Sequence, residues 1–187
     1  MRVIILNGPP NIGKDTLGNN VQQLIGWPRM EFKEALYRET ASYYGVDLVT
    51  FAMLASGRTT KEVPMPTLGG LSPRQAMIHV SEEVIKPKFG KQFFGAKAYE
   101  LVQTLEDRHL RTVVFSDGGF EEEAQYLIDQ GCEVHIIQLH AEGFDFGNDS
   151  RNYVTLVGAT MHRIDVTLGQ PMADLTAFLN IFFGETE

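Results

Sequence analysis

The chain has 187 residues, 43% hydrophobic and 21% charged, the make-up of one globular domain with a sizeable core. A formal net charge of -8 at pH 7 argues against a protein whose main task is to coat nucleic acid or anionic membrane. Cys132 is the single cysteine, so no disulfide can close within the chain, and its strand-like setting reads as that of a small buried hydrophobe.

Val3-Ile4-Ile5-Leu6 is wholly apolar and rich in β-branched residues, the pattern of a strand buried on both faces of a parallel sheet. It runs into Gly8-Pro9-Pro10-Asn11-Ile12-Gly13-Lys14-Asp15-Thr16. The spacing G-x-x-x-x-G-K is that of a phosphate-binding loop. Gly8 and Gly13 allow backbone angles that turn successive N–H groups inward, and with the N-terminus of the next helix these make a nest for phosphate oxygens. Lys14 is the mobile charge that reaches the β- and γ-phosphates. Gly8, Asn11, Ile12, Gly13, Lys14, Asp15 and Thr16 are therefore the expected ATP-binding residues. Position 15 is Asp where a Ser or Thr usually offers Mg²⁺ a hydroxyl; Thr16 offers one a residue later, as in the Gly-Lys-Gly-Thr of adenylate-kinase-like enzymes.

The following helix spans 15–25 and ends at Gly26-Trp27-Pro28. A short strand is expected over 29–32, a helix over 33–44 closed by Gly45, and a helix over 48–55 capped by Asp47. Residues 56–71, with Gly57, Pro64, Pro66, Gly69 and Gly70, read as a loop. Ser72-Pro73-Arg74-Gln75 is a strong helix start, with an N-cap, Pro in the first turn and Gln in the capping-box position. That helix runs towards Ile85, and Pro87 marks an interruption. Another helix covers about 91–107. Thr112 to Ser116 is a second buried strand ending on Asp117-Gly118-Gly119; a helix over 121–130, a strand over 132–139, a half-exposed strand over 163–168 and a final amphipathic helix follow. Strands alternating with helices imply an α/β fold, three layers about a mostly parallel sheet. One domain is expected, with a core of 1–28 and 110–187, a helical insertion at about 29–109 and a lid at about 140–158. No signal peptide and no spanning apolar run are seen, so the expected location is the cytoplasm.

An acidic residue closing a buried strand in such a chain is where a Mg²⁺-organising carboxylate belongs, which singles out Asp117; a turn before two glycines is the competing reading. Asp15 is the second candidate carboxylate, with a helix-dipole role as its alternative. With Thr16 these form the expected metal set, and Lys14, Asp15, Asp117 and Arg151 the expected catalytic set. Phosphoryl transfer needs positive charge around donor, acceptor and the group in flight. Arg74 opens a helix against its dipole, Lys33 and Arg38 lie on the 33–44 helix, and Lys88 and Lys91 cluster with Lys86 around the break at Pro87; Lys33, Arg38, Arg74, Lys88 and Lys91 are the acceptor-binding candidates. Arg151 is the single Lys or Arg of the polar loop at 140–158 and suits a lid that closes on phosphates. His79, His109, His135, His140 and His162 are scattered without metal-ligand spacing.

Several segments together resemble the bacteriophage-type deoxynucleoside monophosphate kinases: Gly13-Lys14-Asp15-Thr16, Phe32-Lys33-Glu34-Ala35-Leu36, Arg74 to Phe94, Phe115-Ser116-Asp117 and Asn148-Asp149-Ser150-Arg151. The resemblance implies a P-loop kinase fold and transfer of the ATP γ-phosphate to a deoxynucleoside monophosphate with Mg²⁺. It also implies small-molecule nucleotides as partners and a homodimer as the expected assembly, while the acidic balance disfavours nucleic acid and the lack of a spanning apolar run argues against a membrane. One departure stands out: the family often places an Arg just after the strand-end Asp, where this chain has Gly118-Gly119. Two alternatives stay open, a kinase of a modified nucleotide, DNA base or phosphorylated metabolite, and a nucleotide-binding regulatory protein without transfer.

Overall fold

The computed structural model describes residues 1–147 and 151–184. Asn148, Asp149 and Ser150, part of the expected lid, lie outside the described residues.

Five strands form one sheet: β1 (Arg2–Asn7), β2 (Arg29–Met30), β3 (Thr112–Gly118), β4 (Glu133–His140) and β5 (Thr160–Asp165). Their order is β2-β3-β1-β4-β5, and every pairing is parallel. The central strand is apolar on both sides because helices cover both faces. Val3 and Ile5 face a layer of α6 (Phe93–Asp107) and α7 (Glu121–Asp129); Ile4 and Leu6 face α1 (Lys14–Ile25) and α8 (Pro171–Phe183). All four are at most 2% exposed, and burying each contributes ~1.5–3 kcal/mol. Cys132 is buried in the first of these cores.

A separate helical layer follows β2. It contains α2 (Lys33–Tyr44), α3 (Leu48–Ser56), a 3₁₀ turn at Pro66–Leu68 and α4 (Pro73–His79), packed around Tyr37, Phe51 and Leu68. The capping box forms: Gln75 N–H donates to Ser72 Oγ (3.3 Å) and Ser72 N–H to Gln75 Oε1 (3.0 Å). Pro87 does not interrupt this helix, contrary to expectation. The chain continues through a π-helical stretch, Val80–Ile85, into α5 (Lys86–Phe89), and stops at Gly90 with φ 91. The N–H of Lys86 reaches back five residues to Ser81 O. That wider turn leaves room for a proline ring that an α-turn would crowd.

Two expected boundaries also move. β2 pairs with β3, and α6 buries Ala98, Val102 and Leu105 against the sheet, so the layer that packs apart from the sheet starts at Lys33 and ends near Gly90. The edge strand β5 is Thr160–Asp165 rather than 163–168. It pairs with β4 alone and ends where His140 ends that strand, with Val166 N–H donating to His140 O (2.7 Å).

Candidate active site

The loop between β1 and α1 lies at the carboxyl edge of the sheet. Asn11 (φ 63) and Gly13 (φ 107) take the left-handed conformation that turns N–H groups into the loop. Gly8 is required for a different reason: a Cβ there would stand 2.9 Å from Leu139 O on β4. Ile12 is buried and anchors the loop from beneath. Lys14, also buried, donates from Nζ to the carbonyls of Gly8 and Pro9, both at 2.6 Å. Its ammonium is thus held across the loop, above the first turn of α1. Thr16 is exposed and lines a cleft of about 290 Å³ with Asn11, Leu17, Val166 and Pro171. The far wall is held in shape by Asp174, whose Oδ1 accepts from Thr167 N–H (2.9 Å).

Beside it, the end of β3 is re-aimed by a bulge. Ile5 of β1 pairs with Phe115, but Asn7 pairs with Gly118, so β3 carries one extra residue there. Ser116 and Asp117 consequently serve different partners. Ser116 Oγ donates to Asp15 Oδ1 (3.0 Å) and accepts from Arg29 Nε (2.9 Å). Arg29 Nη2 bonds Asp15 Oδ1 (2.6 Å) and Glu31, and Nη1 bonds Asn19 (3.2 Å). Asp117 accepts the first N–H groups of α2, Phe32 on Oδ1 (2.8 Å) and Lys33 on Oδ2 (3.1 Å). Burial, aided by the charge of Glu31, pushes the Asp117 carboxyl up to about 6 against the pull of Lys33 and these two N–H groups. Asp15 moves the other way: burial raises it, but Lys33, Arg29 and the Ser116 hydroxyl together bring it below its ordinary value. For Lys33 burial is outweighed by Asp117, Glu31 and Asp15, so its ammonium is held more firmly charged. Its Nζ lies 3.3 Å from Glu31.

The pair after Asp117 is not the turn that its composition suggests. Gly118 belongs to β3, and a Cβ on it would come 2.0 Å from Ile5 Cγ2. Gly119 is buried under Arg151, whose Cβ, Cγ and Cδ all lie within 2.7 Å of where a Cβ would stand.

Part of the expected lid is fastened to the sheet. Fully buried Asn7, the last residue of β1, donates to Gly118 O (3.1 Å) and Asn152 O (3.0 Å) and accepts from Val154 N–H (2.9 Å). Tyr153 donates its hydroxyl to Leu139 O (2.9 Å) and stacks on His140, ring centroids 4.2 Å apart. Residues 152–154 thus continue the carboxyl edge and carry Arg151 to Gly119.

Lys14, Asp15, Thr16, Lys33, Asp117 and Arg151 are brought to one edge of the sheet. Lys91 stands 3.8 Å from Glu122 at the start of α7. The other three acceptor candidates lie on the helical layer. Arg74 is paired with Glu62 (2.9 Å), which supplies a local reason for an Arg in the first turn. Arg38 is exposed, and Lys88 lies 4.9 Å from the Phe89 ring centre. Among the described residues no hydrogen bond or ion pair joins these three to Asp117.

Sequence reasoning missed Asn7, Arg29, Glu31, Ser116 and Glu123. A polar residue ending an apolar strand just before the loop was a usable signal for Asn7. Nothing local distinguishes Glu123 within the acidic run Glu121–Glu123, yet it is buried where its neighbours are not. Nor did spacing foretell that His135 Nδ1 and His162 Nε2 meet at 3.0 Å, with Glu133 on the other nitrogen of His135.

The residues fit a nucleoside triphosphate with Mg²⁺. Two left-handed loop residues, a helix N-terminus and a buried lysine suit phosphate oxygens, and hydroxyl and carboxylate oxygens suit Mg²⁺. Among the described residues no three His, Cys, Asp or Glu side chains gather as a metal cage. Mg²⁺ does not need one, since it commonly takes one or two protein oxygens and completes its shell with phosphate and water. Among the described residues, no helix is long and apolar enough to cross a membrane.

The fold and this edge define a P-loop kinase architecture. A sugar kinase from Janibacter sp. is similar at a TM-score of 0.55 and 12% identity, over 96% of this chain and 93% of that one. Dephospho-CoA kinase from Campylobacter jejuni is similar at 0.51 and 12%, over 100% of both chains. No protein-family model matches the sequence, and no curated protein matches it closely enough to count as a relative.

Proposed function

We propose that the protein is an ATP-dependent (deoxy)nucleoside monophosphate kinase. The observation that carries this reading is the meeting, at the ends of β1 and β3, of a lysine-bearing phosphate loop with Asp117, Lys33 and Arg151. The loop N–H groups and Lys14 hold the triphosphate. Thr16, Asp15 and Asp117 are the residues that would hold Mg²⁺, which when bound neutralises charge on the phosphates. Arg29 and Ser116 orient Asp15, and the start of α2 orients Asp117.

The acceptor approaches from the helical layer, past Lys33 and Lys91, with Arg38, Arg74 and Lys88 on the α2–α5 helices as its further contacts. Its phosphate needs no general base, because a monophosphate with a second pKa of about 6 is already an anionic nucleophile near neutrality. An acceptor oxygen bonds to the γ-phosphorus as the bond from that phosphorus to the bridging oxygen breaks, and ADP leaves. Lys33 and Arg151 offset charge on the transferred group.

ADP release from ATP and Mg²⁺ with each common deoxy- and ribonucleoside monophosphate is the test. Strong stimulation by one or a few acceptors is expected. Tight ATP binding with no stimulation by any of them overturns the reading and points to a modified nucleotide, another phosphorylated metabolite or a regulatory role.

A further inference from the structure

Gly119 shows no left-handed backbone angle, so its conformation does not call for glycine; the space above it does. A Cβ there would stand 2.6 Å from both Cδ and Cγ of Arg151 and 2.7 Å from its Cβ. Crowding along the whole stem, up to the atom fixed to the backbone, cannot be relieved by turning the end of the side chain. Positions 119 and 151 therefore compete for one place, and a side chain at either leaves no room for the other.

We propose that Gly119 is a positioning residue that seats Arg151, so that the phosphate-facing arginine of this site is delivered by the loop after β4 and not by the end of β3. This rests on the kinase reading above for what the arginine does, and on packing alone for where it sits.

A double-mutant cycle separates the two. Gly119→Ala, Arg151→Gly and their combination are compared by thermal unfolding, by affinity for a fluorescent ATP analogue, and by ADP release with the acceptor panel. Gly119→Ala should lower the melting temperature by ~2–6 °C alone and by little in the Arg151→Gly background, where the Cβ at 2.7 Å is gone as well. Equal effects in both backgrounds overturn the seat, whatever the activity proves to be. Where a monophosphate stimulates ADP release, Arg151→Gly should lower kcat at least ~100-fold with analogue affinity changed less than ~3-fold. Gly119→Arg combined with Arg151→Gly should then regain at least ~10-fold over Arg151→Gly, since the cation returns to the vacated place. Retention of near-normal kcat by Arg151→Gly, or no recovery in the swapped variant, overturns the positioning role. If no acceptor stimulates ADP release, the kinase reading fails, while the unfolding cycle still decides the seat.

Discussion

Asp117 is the residue whose place in the site costs the fold most visibly. Its carboxyl is pushed from an ordinary 3.8 to about 6. Between those values the folded chain keeps a proton that the unfolded chain releases, so stability falls as pH rises. The contribution of protonated Asp117 is fully present below about 3.8 and is lost as pH passes through about 6. At ~1.4 kcal/mol per unit the whole shift amounts to ~3 kcal/mol, which partial solvent access reduces to ~2 kcal/mol. Asp117→Asn removes that penalty but can accept only one of the N–H groups of Phe32 and Lys33, which costs ~1 kcal/mol. The variant should therefore be more stable than the parent by ~1 kcal/mol near pH 8, a rise of ~2–4 °C in melting temperature for a chain of this length, while losing phosphoryl transfer. Near about pH 4 the gain should vanish or change sign, because the parent is then protonated as well. Melting curves of both proteins across this range are the assay. A stability difference that does not change with pH would refute the argument that burial of a charge sets the Asp117 shift.

Lys14→Ala should abolish turnover and weaken ATP binding while leaving a folded protein, since its bonds to Gly8 and Pro9 are local to the loop; near-normal turnover would sink the phosphate-loop assignment. Asn7→Ala removes three hydrogen bonds at a fully buried position and should cost ~2–4 kcal/mol in urea unfolding, with faster amide exchange at Val154; a loss below ~0.5 kcal/mol would show that residues 152–154 are held by something else. Burial, and then the neighbouring His135, hold His162 below its ordinary 6.5, so its contribution is present above that value and lost as pH falls below it. His162→Asn keeps a donor towards His135 without the charge and should flatten the fall in urea midpoint between about pH 7 and 5; an unchanged slope would place the acid sensitivity elsewhere.

How far the sequence could be read follows from the range of each signal. The strand 3–6, the loop 8–16 and the start of α1 were legible because they are contiguous and each residue type answers a local demand of backbone angle or charge. The capping box at Ser72 was legible for the same reason. Pro87 was misread because its local rule assumes an α-helical turn, and a π turn upstream accommodates the ring. Arg29 passed unnoticed because its four side-chain partners, Asp15 and Asn19 on α1, Ser116 on β3 and Glu31 in the turn after β2, are brought together only by the fold.

Sequence by itself determined the alternation of strands and helices, the place of the glycine-containing loop after β1, and the lysine and carboxylate proposed to act there. These depend on hydrophobic period and on residues next to one another in the chain. Tertiary structure decided which cations meet those carboxylates, why Asn7 is buried, and why residues 118 and 119 are glycines. Gly118 answers to Ile5 on the neighbouring strand and Gly119 to Arg151 from a distant loop. Side-chain volume pressed against a backbone from far along the chain leaves no periodicity behind it, and can be read only once the sheet has brought the two together.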